Sequence, residues 1–325
     1  MSESKSVYGG QAVIEGVMFG TGKHTVTAVR HADDSLSYYY LERQSKPWAQ
    51  KLKKVPLIRG VIALLESTKI GGQHLNYSAE QQEEPEKEPE KKRSKIIDTS
   101  LYIGIAILGV FTFLFAKFAL TLIPVFLAGL LQPIFPGHAL QVVLESVFKL
   151  ILLVTYLLAI SQTKLIKTVF QYHGSEHKVI NCYESGQELT VANVQKATRL
   201  HYRCGSSFIL FTVIIGMFVY FFFPTDPFWL RILSRILLIP VVMGISFEVL
   251  QATNKCRNIP VLKYMGYPGL WLQLLTTKEP TDKQVEVAIA SFKALQEIEH
   301  TPSLLETDAR FVKADPLLAG KIVSN

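Results

Sequence analysis

The sequence predicts a mainly α-helical polytopic membrane protein with about four transmembrane helices, a small α+β module at its amino terminus and a helical hairpin between spans two and three. Three observations predict it. Hydrophobic residues make up 49% of the chain and concentrate in its middle, where a soluble protein would spread them over a core. Thr99 to Ala116 carries no charge, and after Lys117 a second uncharged stretch ends near Phe135; such runs suit a helix crossing a hydrocarbon layer of about 30 Å. The basic residues fall on alternate connections, as membrane orientation demands.

Residues 1–79 read as a small folded module placed in the cytosol. In "TVTAVRHADDSLSYYYLER", two stretches rich in Val, Thr and Tyr flank an Asp-containing turn, which is a hairpin signal. Ahead of it, "YGGQAVIEGVMFGTG" alternates glycines with apolar residues around Glu15. Between Lys46 and Ser78, apolar residues recur at helical spacing and predict one or two amphipathic helices that cover the hairpin or lie on a bilayer. Residues 80–95, "EQQEEPEKEPEKKRSK", have almost no apolar content and read as a flexible linker.

The membrane domain is assigned to residues 96–255, with spans at roughly 99–122, 142–164, 206–223 and 230–250. The last is interrupted by Pro240 and holds Arg231 and Arg235 near its start. A separate span over 118–135 would make five. Charge decides against it: Lys164, Lys167, Lys178, Lys196, Arg199 and Arg203 lie in one loop, whereas the connections at 132–141 and 224–229 hold no Lys or Arg. Four spans put every basic segment on the cytoplasmic side, with both termini, and leave Lys117 to snorkel outward. The first apolar run comes too late and is too long for a cleaved signal peptide. A cytosolic segment follows at 256–299, where "TDKQVEVAIASFKALQEIE" opens with Thr281 and Gln284 in capping-box positions and predicts an amphipathic helix. Residues 300–325 show little periodicity and read as a loose tail.

The net charge of +7 is explained by membrane orientation, since no basic stripe interleaved with aromatics marks a nucleic-acid surface. Three widely spaced cysteines do not form a disulfide framework; they read as reduced thiols or ligands.

The chemistry concentrates in the loop at 165–205. Helical spacing through "QYHGSEHKVINCYE" continues the second span into the cytosol and puts His173 and His177 one turn apart on one face, beside Glu176. After Gly186, Thr190 caps a second helix predicted to reach "RLHYRCGSS", where His201 and Cys204 are three apart. If the two helices form an antiparallel hairpin, His173, His177, His201 and Cys204 converge on one metal ion. Imidazole and thiolate are the donors zinc takes, and Glu176 is the candidate general base. Its residues also fit the H-x-x-E-H pattern of inverted zinc peptidases, without a peptidase domain around them. Glu248 is a further candidate partner. Paired histidines on an apolar helix face also serve as ordinary hydrogen-bonded core residues, and Cys182 reads as a small buried hydrophobe. Arg59, Lys178, Arg199 and Arg203 are candidates for a basic rim that suits an anionic substrate, or for solvated cations.

Four blocks, "GGQAVIEGVM", "YHGSEHKVINCYE", "LTVANVQKATRLHYRCGSSF" and "PGLWLQLLTTKEP", resemble in the same order those of the YqhQ-like bacterial membrane proteins, a family of unknown function sometimes labelled predicted metal-dependent enzymes. The resemblance implies a bacterial multi-span protein with a metal site at His173, Glu176, His177, His201 and Cys204, and it adds Glu15 as a catalytic candidate. Family members often continue the first block with Met-Arg-Gly, whereas here Phe19 and Gly20 follow Met18, so an anion-binding arginine is missing at that place.

Two functions are therefore expected. One is a zinc-dependent hydrolase on the cytosolic face of the plasma membrane. The other is a scaffold or accessory subunit that binds a protein partner through the amino-terminal module and the helix at 281–299, its His and Cys residues closing a structural metal site or none.

Overall fold

The computed structural model of the chain describes residues 7–82, 119–304, 308 and 310–313. It is mainly helical, with one small sheet, and divides into two units: residues 1–83, 157–210 and 243–325 form the first, 84–156 and 211–242 the second.

In the first unit, four strands run antiparallel in chain order: β1 (Gly9–Val13), β2 (Gly16–Gly20), β3 (His24–Arg30) and β4 (Leu36–Glu42). The expected hairpin is β3–β4, with Val26 opposite Tyr40 and Val29 opposite Ser37. The glycine-rich segment before it is a second hairpin, turned at Glu15 with φ 49. A fifth strand, β5 (Phe311–Lys313), pairs parallel to β4, so part of the segment read as a loose tail belongs to the sheet.

Both faces of the sheet are covered, and strand alternation sorts the side chains. Val17, Phe19, Val26, Ala28 and Tyr40 point to one face, where they bury Phe292, Leu295 and Ile298 of helix α11 (Asp282–His300) together with Val179 and Ile180 of α5 (Lys164–Glu184). The capping box at Thr281 and Gln284 is present, and Ser291 in the middle of α11 donates to the carbonyl of Val17 at 2.8 Å. On the other face, Val13, Val29 and Tyr39 meet Tyr77 of α2 (Ile58–Glu80), which a short α1 (Pro47–Leu52) precedes. The apolar stripe of α11, expected to serve a partner, is thus spent within the chain.

Helix α4 (His138–Ile160) ends before the second predicted span does. Ser161 and Gln162 break it, and Thr163 caps α5 by accepting from the Ile166 N–H at 3.4 Å, so the expected continuous helix is two. The second predicted helix of the hairpin is also shorter than its pattern: α6 covers only Val191–Lys196. The reason is competition for carbonyls. Those of Thr198, Arg199 and Leu200 accept from side chains of α5, Asn181 at 2.7 and 3.0 Å and His177 at 2.6 Å, instead of from helical N–H groups. His201 and Cys204 therefore lie on an irregular connection leading into α7 (Gly205–Tyr220).

The second unit holds α3 (Ala119–Leu130), most of α4 and α7, α8 (Phe228–Leu237) and the start of α9 (Ile239–Lys255). Arg231 and Arg235 of α8 are fully buried. Both pair with Glu145 of α4 at 3.2 Å, and Arg231 also donates to Gln141 at 3.0 Å, which is how an apolar unit accommodates them. Among the described residues, α4 alone is long and apolar enough to cross a membrane; α8 and α9, bent by 49°, qualify together as a second, broken span. The third predicted span, as α7, is shorter than a span requires, and most of the first falls on 99–118, outside the described residues, as do Lys117 and nearly all of the linker. Helix α9 returns the chain to the first unit at Met243, and a short 3₁₀ turn (Leu262–Gly266) and α10 (Tyr267–Thr276) follow there.

Candidate metal centre

Helix α5 carries the site, and its sequence explains how other segments reach it. Gly174 lies against the backbone of Lys278 so closely that a Cβ would collide with the Lys278 carbonyl, while the Lys278 N–H donates to the Phe170 carbonyl at 2.8 Å. This approach brings the end of α10 alongside the histidines. The Nδ1 of His173 meets the Thr276 carbonyl at 2.8 Å, and that of His177 meets the Arg199 carbonyl at 2.6 Å. A carbonyl can only accept, so both Nδ1 atoms carry the proton. Each Nε2 is thereby left to face the other side, the arrangement in which metal-binding histidines are held.

On that side stands Cys204. Its Sγ is 3.2 Å from His173 Nε2, and the ligand atoms of His173, His177 and Cys204 all lie within 4.8 Å of one another. Donors around a tetrahedral zinc stand about 3.3–3.8 Å apart, from bond lengths of about 2.0–2.3 Å, so small rotations close this set on an ion. Ser206 supports the sulfur, its N–H at 3.4 Å and its Oγ at 3.1 Å. Burial pushes the His173 imidazole down, but the Cys204 thiolate beside it outweighs this and raises it to about 9. Burial pushes the Cys204 thiol up, and the imidazoles of His173 and His177 bring it well below its usual value. Each of the two groups thus favours the charged form of the other.

His201 stands next to this group. Its ring centre is 5.7 Å from that of His177, and its Nε2 is buried without a hydrogen-bond partner. Burial, then the neighbouring His177, Arg203 and Arg257, lower it to about 2, so it is a neutral imidazole with an unused atom. Gln273 of α10 holds its backbone from both sides, accepting from the His201 N–H at 2.8 Å and donating to its carbonyl at 2.7 Å. Neither Gln273 nor Thr276 was singled out from sequence, because a polar residue on a short apolar helix carries no motif; its burial among apolar neighbours was the available signal.

Glu176 is buried on the same turn of α5 under strand β1, where Gly10 leaves room for it: a Cβ on Gly10 would stand 2.8 Å from Glu176 Cγ and 2.7 Å from the Met18 carbonyl. Burial raises its carboxyl, against the pull of His177 and His173. Glu15 is placed elsewhere: it accepts from the Tyr172 hydroxyl at 3.2 Å and is not among the clustered donors. Glu248 is paired with Arg59 and the Leu57 N–H, away from the site. The basic rim is internally paired as well, since Lys178 and Arg199 share Glu279 at 2.8 and 3.1 Å and Arg203 pairs with Glu184. Cys182 is a buried core residue.

Fold and site define a helical protein whose sheet-bearing unit encloses a cluster of two histidines and a cysteine. The chain belongs to a family described as proteins of unknown function (DUF1385), whose model matches residues 55–298. It is 57% identical over 298 residues to the uncharacterized protein YqhQ of Bacillus subtilis (strain 168), a match covering 90% of this chain and 93% of that protein. No solved structure matches.

Proposed function

We propose that this chain is a plasma-membrane protein with both termini in the cytosol, whose cytosolic unit binds one zinc ion through His173, His177 and Cys204 and hydrolyses a substrate there with Glu176 as general base. The carrying observation is the pair of Nδ1–carbonyl hydrogen bonds, which fix both histidines as Nε2 donors toward one thiolate. Zinc at that point would supply Lewis acidity and would lower the pKa of water at an open position. The chain supplies the rest. His173 and His177 are oriented by Thr276 and Arg199, Ser206 steadies the thiolate, and Glu176, whose carboxyl is raised by burial, takes and returns a proton at its carboxylate oxygens. The membrane reading is supported by α4, of whose most apolar stretch only 17% is covered, and by the fully buried Glu145–Arg231–Arg235 group.

A second reading is favoured by His201, whose unused Nε2 beside His177 fits a fourth ligand. Four protein ligands would close the site and make it structural. Metal analysis of the full chain purified in detergent separates the two. Both readings expect about one zinc per chain and its loss in His177→Ala and Cys204→Ser. The catalytic reading expects Glu176→Gln and His201→Ala to retain zinc; loss in His201→Ala selects the structural one. A wild type that carries no metal overturns both readings.

A further inference from the structure

Two short stretches, "VPLIR" at 55–59 and "IPVLK" at 259–263, share one pattern: a β-branched residue, proline, two apolar residues and a cation. They share a backbone as well. Leu57 has φ 68 and ψ −47, Val261 has φ 70 and ψ −53, and each is spanned by a hydrogen bond from the following N–H to the proline carbonyl, Ile58 to Pro56 at 2.8 Å and Leu262 to Pro260 at 2.9 Å. This is the rare γ-turn with positive φ, strained for any residue with a Cβ and most of all for a branched valine. Glycine would adopt it freely, yet each turn carries an apolar side chain and leaves it in the open. Leu57 is 44% exposed and Val261 74%.

Both turns border α9. Leu57 packs its backbone on Gly244, where a Cβ would meet the Leu57 carbonyl at 2.6 Å, and Val261 follows the end of α9 at Lys255. Their neighbourhoods are rich in cations: residues 46–60 hold Lys46, Lys51, Lys53, Lys54 and Arg59 and no carboxylate, and residues 255–267 hold Lys255, Arg257 and Lys263 and none. Lys53 pairs with Glu66, Arg59 with Glu248 and Arg257 with Glu184, and Lys46, Lys51, Lys54, Lys255 and Lys263 lie outside those pairs. Trp48 on α1 lies in the first segment and Trp271 on α10 four residues after the second, 55% and 65% exposed. Exposed tryptophans, unsupported apolar tips and flanking cations are the composition of a surface that sits among anionic headgroups.

Resting on the membrane reading above, we infer that the two proline γ-turns are paired lipid anchors, which push Leu57 and Val261 into the headgroup–acyl boundary of an anionic leaflet while the adjacent cations meet its phosphates. The occupant is a bilayer because α9, which both turns border, belongs to the broken apolar pair that qualifies as a span. Anchoring also reaches the metal centre. Helix α10 exposes Trp271 and Leu274 on one side and delivers Gln273 and the Thr276 carbonyl to His201 and His173 on the other.

The test uses the full chain in vesicles of phosphatidylethanolamine and phosphatidylglycerol, with nitroxide labels at Leu57→Cys and Val261→Cys in a Cys256→Ser background. Both labels are expected to be relaxed more by oxygen than by a water-soluble nickel chelate, and a label at exposed Ser185→Cys the reverse. Where a label disturbs its turn, tryptophan reports instead. In Trp229→Phe only Trp48 and Trp271 remain of the three tryptophans, and lipids brominated near the headgroup should quench them. Labels that favour nickel, in a chain that remains vesicle-bound, overturn the anchors and leave the membrane reading standing. Labels shielded from both relaxers place the turns against protein and overturn them too. A chain that stays soluble without detergent and leaves the vesicles removes the membrane reading itself.

Discussion

His74 shows how a titratable residue acquires a single role. It lies in the core between α2 and the sheet, with Nδ1 2.6 Å from Thr27 Oγ1 and Nε2 2.9 Å from Thr25 Oγ1. Thr25 already gives its hydroxyl proton to the Leu41 carbonyl at 2.8 Å, so it can only accept from the ring. Nε2 therefore carries the proton, Nδ1 accepts from Thr27, and the imidazole is neutral with both nitrogens satisfied. Burial, reinforced by Arg43, lowers it to about 3 from an ordinary 6.5. The unfolded chain binds a proton at pH values where the folded one does not, so the contribution of His74 is complete above about 6.5 and is lost as pH falls toward 3. The slope approaches about 1.4 kcal/mol per pH unit in that window. Thermal melts followed by tryptophan fluorescence should show it: His74→Leu is expected to melt lower at pH 8, through lost hydrogen bonds, yet to lose less stability than wild type between pH 6.5 and 4. Parallel acid limbs would show that other groups control the transition. The same residue marks a boundary of sequence reading. Nothing in the spacing separates His74, a core residue, from His177, a ligand candidate; the difference lies in which atoms face each nitrogen.

At the scale of elements, periodicity was readable and destination was not. The β3–β4 hairpin and the capped helix α11 follow directly from alternation and from Thr281 with Gln284. That α11 lies on the sheet, instead of on a bilayer or a partner, depends on a complementary apolar face far away in the chain, which no local pattern encodes. The β1–β2 hairpin was missed because its glycines, needed where Gly10 passes Glu176, dilute the strand signal. The helix expected through His201 and Cys204 failed because α5 side chains take its carbonyls. Gly174 has the opposite lesson, since in "HGSEH" it reads as a weak helix residue and proves to be the contact that seats Thr276 beside His173. Gly174→Ala should therefore cost about 1–3 kcal/mol through displaced backbone and should lower metal content as well. The matched control is Gly72→Ala on α2, where a Cβ meets nothing within 4 Å and the helix gains up to about 1 kcal/mol. Melting both variants with and without chelator, beside metal analysis, checks the pair; equal metal content in Gly174→Ala and wild type would detach α10 from the site.

For the whole molecule, the proposed zinc site requires one particular side of the proposed membrane. A zinc-binding thiolate persists in a reducing compartment, whereas an oxidising one invites loss of Cys204 to disulfide chemistry. Under the membrane reading proposed above, the six basic residues from Lys164 to Arg203, against none at 132–141 and 224–229, would put the cluster with the cytoplasm by the positive-inside rule. That inference requires an even number of crossings before the loop. The described residues supply α4 as one candidate, and the other span expected from sequence lies mainly on 99–118, outside the described residues. Ser185, exposed just beyond α5, is the position to probe. Cys182 and Cys204 are buried, so Ser185→Cys with Cys256→Ser offers one accessible thiol. An impermeant maleimide added to intact cells should leave this variant unlabelled and should label it once the cells are permeabilised. Labelling from outside would reverse every loop, expose the His173–Cys204 pair to oxidants and withdraw the zinc hydrolase proposal on chemical grounds, whatever the geometry of its ligands.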